Sequence, residues 1–487
     1  MHKVTVIWGG EELQLTAPDG KVLLELLAEN EIIISAPCQG NGKCGKCRVW
    51  LDGNEVLACR INIHSDMQVR VPRSEGSGVT SSEARRMDQG GEGFGIALDI
   101  GTTTLAAALV DLAKGETLRT VSMLNPQRVC GADVISRIAA CGEGKLPLLT
   151  KLIRDAAAEL AEKLLAGNDG CEIEAMTVCG NTTMLHLFCG VDPSPIGVAP
   201  YTPVFTDMLE YTGEPLGLPA KKVYILPSAS GYIGSDVICG VLALEQKFRG
   251  NWLLADLGTN GELALICGDE IFCASTAAGP ALEGANIECG TGGIPGAISS
   301  VSRTGNTLDI QTIDEAPPAG ICGSGLTDLI ALLLHCGLID ETGAFDPDCG
   351  DSLVSQLSVQ KFQLFDNIWL SQKDVRQFQL AKAAIHAGIE TLCESAGVSP
   401  AQLEKLCVAG GLGFFLREES ALDTGLIPAG AAGKIHAPGN TALGGAILCL
   451  KPQERERACQ IASSAQICEL SCREDFSERF IEAMCFE

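Results

Sequence analysis

Cys38, Cys44, Cys47 and Cys59 fall in the pattern C-x5-C-x2-C-x11-C, within the stretch APCQGNGKCGKCRVWLDGNEVLACR. Four thiolates with a long first gap and a C-x2-C pair are the ligand arrangement of a plant-type 2Fe–2S cluster, here with five residues rather than four in the first gap. Gly40, Gly42 and Gly45 lie between the ligands. A loop around inorganic sulfides must fold tightly with its N–H groups pointing inward, which glycine permits. Zinc is the alternative metal. Structural zinc sites pair two knuckles of C-x2-4-C, whereas Cys44 and Cys47 form the one knuckle here. A 2Fe–2S cluster carries electrons one at a time, so the pattern predicts electron transfer. Lys43, Lys46 and Arg48 beside it suit partner docking, tuning of the cluster or a solvated loop face.

The flanking residues have to build a frame for that loop. KVTVIW and EELQLTA alternate like strands, GKVLLELLAEN has helical spacing, and CRVWLDG and MQVRVP read as later strands. This order predicts an α+β β-grasp ferredoxin domain over residues 1–73. Residues 74–92, SEGSGVTSSEARRMDQGGE, are Gly/Ser-rich without a hydrophobic period. They read as a flexible linker that lets a cluster domain swing, or else as an ordered surface loop.

After the linker the sequence repeats a theme. GIALDIGTTTLAAALVDL begins at Gly95 and WLLADLGTNGELALICGD at Trp252. Each has an apolar strand, an aspartate, one apolar residue, Gly-Thr, a short polar turn and a second apolar strand. The aspartates, Asp99 and Asp256, are 157 residues apart. Asn260-Gly261 is a two-residue hairpin signal, and Thr102, Thr103 and Thr104 occupy the matching turn. A Gly-Thr turn between strands offers N–H groups and hydroxyls to a phosphate chain. An aspartate at its mouth can hold Mg2+ directly or through water. Two such hairpins facing each other would clamp a nucleoside triphosphate. One alone is common, and the bland reading is two ordinary hairpins with Asp as a turn residue.

The pair resembles the phosphate loops of the actin, sugar-kinase and heat-shock-chaperone ATPase superfamily. In that resemblance Gly101, Thr102, Thr103 and Thr104, then Gly258, Thr259, Asn260 and Gly261, surround the ATP phosphates, and Asp99 and Asp256 serve the metal. KLCVAGGLGFF carries Gly410 and Gly411 after an apolar strand, as the superfamily's adenosine loop does. Asp133 is a candidate for orienting the attacking water, and equally a helix N-cap.

Four further segments narrow the family: NPQRVCGADVISRI (125–138), CGNTTMLHLFCGVDP (179–193), GICGSGLTDLIA (320–331) and DVRQFQLAKAAIHAGIETL (374–392). Together with the N-terminal cysteines they resemble the reductive activators of corrinoid proteins, over essentially the whole chain. The resemblance implies a ferredoxin domain followed by an α/β two-lobed ATPase, with lobe I at 93–235, lobe II at 236–450 and a C-terminal helical extension at 451–487. It implies Gly323 and Ser324 as further nucleotide contacts. It also implies ATP-dependent transfer of one electron from the cluster to the cobalt(II) form of a corrinoid protein of a methyltransferase system, which restores cobalt(I). A low-potential donor supplies the electron, and a homodimer is left open. Larger members of the family carry an extra domain where this chain has residues 74–92. Other classes fit parts of the pattern: a small-molecule kinase with an appended ferredoxin, an ATP-regulated electron carrier with a non-corrinoid acceptor, or an actin-like scaffold.

Composition narrows the field. The 487 residues predict two to four domains, and 46% hydrophobic content fills large cores. A net charge of −26 excludes a nucleic-acid partner, since phosphate binding needs basic surface. No apolar run reaches about 18 residues, so no membrane helix is expected. MHKVTVIWGGEE lacks the apolar core of a signal peptide, so the 23 cysteines read as reduced thiols of a cytoplasmic protein, with a hint of anaerobic life. Cys459, Cys468, Cys472 and Cys485, spaced x8, x3 and x12, match no ferredoxin pattern and read as thiols on terminal helices. His186 and His386 lie in apolar helical contexts and read as core. Residues 374–397 predict one long helix begun by Asp374 and Gln377 and stopped by Gly397.

Overall fold

The computed structural model describes residues 1–8, 11–30, 32, 34, 47–51, 54–71, 87, 90–167 and 171–486. Cys38, Cys44, Lys43, Lys46 and nearly all of the expected linker lie outside them.

The N-terminal domain is a five-stranded sheet in the order Glu11–Ala17, His2–Trp8, Met67–Val71, Arg48–Leu51, Asn54–Leu57. The first hairpin is antiparallel, and Met67–Val71 runs parallel to His2–Trp8. Helix Leu23–Glu29 places Leu23, Leu26 and Leu27 in a core with Val4, Val6, Val49 and Val69. This is the β-grasp arrangement. Cys47 is buried at the head of one strand and Cys59 is half-buried in the short turn after the next. Ala58 N–H donates to the Cys47 carbonyl at 2.8 Å, which holds the turn carrying Cys59 against the backbone of Cys47.

Two six-stranded sheets follow. The first has the order Leu209–Tyr211, Ala220–Ile225, Ile173–Gly180, Phe94–Ile100, Thr104–Asp111, Glu116–Leu124. The second has the order Ile435–His436, Lys405–Ala409, Trp252–Leu257, Gly261–Cys267, Glu270–Thr276, Ala465–Ile467. The two repeat hairpins sit at corresponding places in the two sheets. Their strands are continuous apolar runs because both faces are covered.

Helices Ser235–Leu244 and Thr441–Leu448 cross between the sheets. They share one core with Ala97, Ala106 and Ala108 of the first sheet and Leu254 and Ala264 of the second. The crossing is in backbone contact: a Cβ on Gly445 would lie 2.0 Å from the Cys239 carbonyl oxygen, and one on Gly240 would lie 2.6 Å from Leu254 Cδ2. Glycine is required there by proximity.

Three expectations are refined. The long helix spans Gln372–Ser395, with Ser371 as its N-cap and Asp374 as the reciprocal partner in a capping box. Gly397, at φ +68°, follows its end. Residues 451–487 are more than a helical extension, since Ala465–Ile467 pairs with Glu270–Thr276 and covers what would be an exposed sheet edge. Of the four C-terminal cysteines, Cys459 alone stands in an α-helix. His186 is fully buried, stacked on Phe205 at 4.2 Å, with Nδ1 bonded to the Thr182 carbonyl and Nε2 accepting from Val204 N–H. His386 Nδ1 bonds the Gly425 carbonyl at 2.8 Å. Among the described residues no helix is long and apolar enough to cross a membrane.

Replacing Gly445 with Ala should force the crossing apart and lower stability by about 1–3 kcal/mol, as overpacking does. Chemical denaturation would measure it, with Gly350→Ala, which meets no neighbour within 4 Å, as the unchanged control.

Candidate functional site

The two repeat turns face one cavity of about 480 Å³, the size of a small-molecule site. In the first hairpin Ile100 pairs with Leu105 and Asp99 with Ala106, and the second strand already begins at Thr104, so residues 101–103 lie between the strands as the turn. In the second, Leu257 pairs with Gly261 and Asp256 with Glu262. That leaves a three-residue turn, Gly258-Thr259-Asn260, closed by Gly258 N–H to the Asn260 carbonyl at 2.9 Å. Gly261 is already strand, so the Asn-Gly signal marks the turn's edge and not a two-residue loop.

The cavity is lined by Asp99, Gly101, Thr102, Thr103, Thr104, Asp256, Gly258, Thr259, Asn260, Gly323, Ser324, Gly410 and Gly411. Gly261 and Asp133 are not among its lining residues. Asp133 caps helix Val134–Ala140: its Oδ1 accepts from Ser136 N–H at 2.7 Å, and Ser136 Oγ accepts from Asp133 N–H at 3.1 Å. The carboxylate is spent on its own helix, so of the two sequence readings the cap is the one observed.

The first turn is held by its carbonyls. Asn125 Nδ2 donates to Gly101 O at 2.8 Å, Arg137 to Thr102 O at 2.5 Å, and Asn125 N–H to Thr103 O at 2.9 Å. Asn181 Nδ2 adds a bond to Thr102 Oγ1 at 3.0 Å. Three successive peptide planes are thereby fixed. Arg137 is fully buried and also donates to Gly131 O and Gln127 Oε1. Burial pulls its pKa down to about 9. These residues explain two of the motifs: Asn125 and Arg137 bracket NPQRVCGADVISRI, and Asn181 is the Asn of CGNTTM.

Acid residues converge from both halves. Asp236, Glu262 and Glu283 line the cavity beside Asp99 and Asp256. Asp236 stands in the first turn of the crossing helix Ser235–Leu244, and Glu283 ends the 3-10 turn Pro280–Glu283. Sequence reasoning missed all three, and only Glu262, one residue past the Asn-Gly signal, had a local cue. Asn440 Nδ2 donates to Asp99 Oδ2 at 2.9 Å. Burial raises Asp99 to about 7, opposed by the Asn440 bond and assisted by the charge of Asp256. Asp256 is raised to about 7 by burial and by the charges of Asp236 and Glu283. Asp236 is also raised to about 7, mainly by burial. An oxygen-only donor set with surplus negative charge suits a hard divalent cation.

Beside Asp256, Gly410 and Gly411 open a helix after strand Lys405–Ala409. Gly410 has φ +77°, and a Cβ there would sit 3.2 Å from Asp256 Oδ1. Phe414, 52% exposed, and Phe415 line the cavity beyond it.

The buried carboxylates make stability pH-sensitive. Their folded pKa values lie above the unfolded value near 3.8, so the stability they confer is complete below that value and is lost as pH rises through about 7. In metal-free, nucleotide-free buffer the melting temperature should fall between pH 5.5 and 8. Asp256→Asn should flatten that fall, as differential scanning fluorimetry would show.

Comparison with known proteins agrees with this architecture. Residues 250–487 match the C-terminal domain of RACo, the ASKHA domain; residues 94–247 match the RACo middle region; and residues 6–70 match the 2Fe-2S iron-sulfur cluster binding domain. The chain is 36% identical over 393 residues to the corrinoid activation enzyme RamQ of Eubacterium limosum, covering 75% of this chain and 65% of that protein. It is 28% identical over 386 residues to the [Co(II) methylated amine-specific corrinoid protein] reductase of Methanosarcina barkeri, covering 72% and 68%. It thus spans 65% to 68% of the length of these curated relatives. A solved reductive activator for corrinoid,iron-sulfur protein aligns over 99% of this chain and 98% of its own, with a TM-score of 0.73 and 26% identity. With grasp domain, paired hairpins and both RACo regions in one order, the chain belongs to the family of reductive activators of corrinoid proteins.

Proposed function

We propose that this protein is an ATP-dependent reductive activator. It passes one electron from a 2Fe–2S cluster on Cys38, Cys44, Cys47 and Cys59 to the cobalt(II) form of a corrinoid protein of a methyltransferase system, restoring cobalt(I). The observation that carries this reading is the union, in one chain, of a cysteine-bearing grasp domain with a cleft where acid residues of two lobes converge. The buried Cys47, with the turn carrying Cys59 held against its backbone, fits a cluster at the edge of the grasp core.

A 2Fe–2S cluster, when bound, supplies a one-electron carrier charged by a low-potential donor. The remaining work falls to the protein. Asp99 and Asp256 would hold Mg2+, which would supply positive charge against the acid cluster. Gly101, Thr102, Thr103 and Thr104 with Gly258, Thr259 and Asn260 surround the phosphates, while Gly261 sets the register of the second turn. Gly323 and Ser324, at the N-terminus of helix Gly323–His335, present N–H groups to the same anion. Gly410 and Gly411 let the adenosine lie against the backbone. ATP draws the lobes together about the crossing helices, and hydrolysis reopens them. Reduction to cobalt(I) is uphill for ordinary donors, about tenfold in equilibrium per 59 mV. Nucleotide binding offsets it only if the two lobe states differ in affinity for the corrinoid protein.

The test is anaerobic: reconstituted protein, a low-potential reductant and a cobalt(II) corrinoid protein, with cobalt(I) absorbance followed with and without Mg-ATP. Cobalt(I) should require Mg-ATP. Cys44→Ser should abolish its formation while leaving nucleotide affinity intact, and Asp256→Ala should keep the cluster spectrum and lose nucleotide binding. Cobalt(I) formed by Cys44→Ser at the wild-type rate would sink the cluster role. Arg137→Met, which releases the Thr102 carbonyl, should weaken Mg-ATP binding by about tenfold or more, since hydrogen bonds from charged groups are worth about 1.5–3 kcal/mol.

A further inference from the structure

We infer that Glu283 orients the water that attacks the terminal phosphate and takes its proton. The inference rests on the reading of the cavity as an ATP site and adds the group that performs hydrolysis there.

Glu283 is where the two phosphate turns meet. Thr259 Oγ1 donates to one of its carboxylate oxygens at 2.5 Å, and Thr103 Oγ1 lies 3.4 Å from both. One threonine belongs to each sheet's hairpin turn, so this carboxylate bridges the two turns across the cleft. Its place is rigid. Ala281 and Leu282 of the same 3-10 turn are buried in the second lobe's core. Gly258 of the second turn lies beside it, a Cβ there being in ordinary contact with Glu283 Oε1 at 3.4 Å.

Other nearby acids are engaged differently. Asp133 caps a helix outside the cavity. Asp99 is held by Asn440, and an Asp236 oxygen accepts from Val237 N–H. Glu283 instead accepts from hydroxyls that a phosphate chain would attract. When those hydroxyls turn to phosphate oxygens, the carboxylate remains facing the terminal phosphate with free lone pairs.

The step balances without a further reagent. Water oxygen bonds to the terminal phosphorus, the bond from that phosphorus to the β–γ bridging oxygen breaks, and ADP leaves. The water's proton passes to the Glu283 carboxylate and then to phosphate or solvent.

Glu283→Gln keeps the size and one of the two acceptor oxygens but takes no proton. Single-turnover hydrolysis should fall by about 10²- to 10⁴-fold, the usual span for a positioned base. Affinity for Mg-ATP and for a non-hydrolysable analogue should stay within about threefold of wild type, because a purely structural strut would lose both together. Glu283→Asp, which retains a carboxylate, should hydrolyse faster than the Gln variant. Wild-type hydrolysis by Glu283→Gln, a Gln variant as active as the Asp variant, or a tenfold loss of affinity in parallel with rate would each overturn the assignment. A wild-type protein that binds no nucleotide would overturn the site reading itself, whereas one that hydrolyses ATP no faster than Glu283→Gln would overturn this inference alone.

Discussion

Asp99 and Asp256 face one cavity from opposite lobes, and the charge of Asp256 raises the pKa of Asp99. Two carboxylates withdrawn from water repel more strongly than at a surface, because the surrounding dielectric is low. Asp236, Glu262 and Glu283 deepen the same negative potential. Arg137 is the cation that acts on Glu283, and it does so from behind the first turn. The folded chain therefore holds together an arrangement that its own charges oppose. Apolar strands on both sides supply that restraint: the hairpin strands that end in these aspartates are almost wholly buried. A divalent cation is the kind of charge that would offset this negative potential.

The restraint leaves one degree of freedom. Both sheets contribute to the core around helices Ser235–Leu244 and Thr441–Leu448, so the lobes are tied at that crossing. Direct backbone contact at Gly445 and Cys239 removes the side-chain layer that would otherwise cushion the helices. Packed interiors respond to load by switching between discrete arrangements, not by continuous deformation. Asp236 lies in the first turn of one crossing helix, and Asn440, which holds Asp99, caps the other. Charge at the site and the angle of the crossing are thus set by the same two helix ends.

The parts legible in sequence were those whose signal is local. Each Asp-x-Gly-Thr hairpin announces itself within about a dozen residues, and its duplication supplied the two-lobed architecture. The grasp domain followed from strand and helix periods around the cysteines. What escaped was set by contacts between distant segments. Glu283 lies 180 residues from Thr103 in sequence and carries no motif of its own. Asp236 reads as an ordinary first-turn acid until the fold turns it toward the cleft. Strand Ala465–Ile467 is three residues long, too short for an alternating pattern, and exists because an edge needed covering. Asn260-Gly261 misled because a hairpin signal gives the position of a turn but not its length, which the pairing of Leu257 with Gly261 decides.

The motif at residues 125–138 shows how a site is held by residues that never line it. Asn125 and Arg137 sit at its two ends, yet both grip the same three-residue turn. Between them Asp133 starts the helix that carries Arg137, so the cap fixes the direction in which the guanidinium points. Ile135, on that same helix, is 57% exposed. The seven-residue helix thus forms one rigid piece that touches solvent on one side and the first hairpin turn on the other. Gly131 packs against the helix start so closely that a Cβ would lie 2.4 Å from Ser136 Oγ, leaving the piece no slack. Any displacement of this helix moves the Thr102 carbonyl with it. The turn's geometry is therefore a property of the helix, and the sequence segment is long because it must encode both.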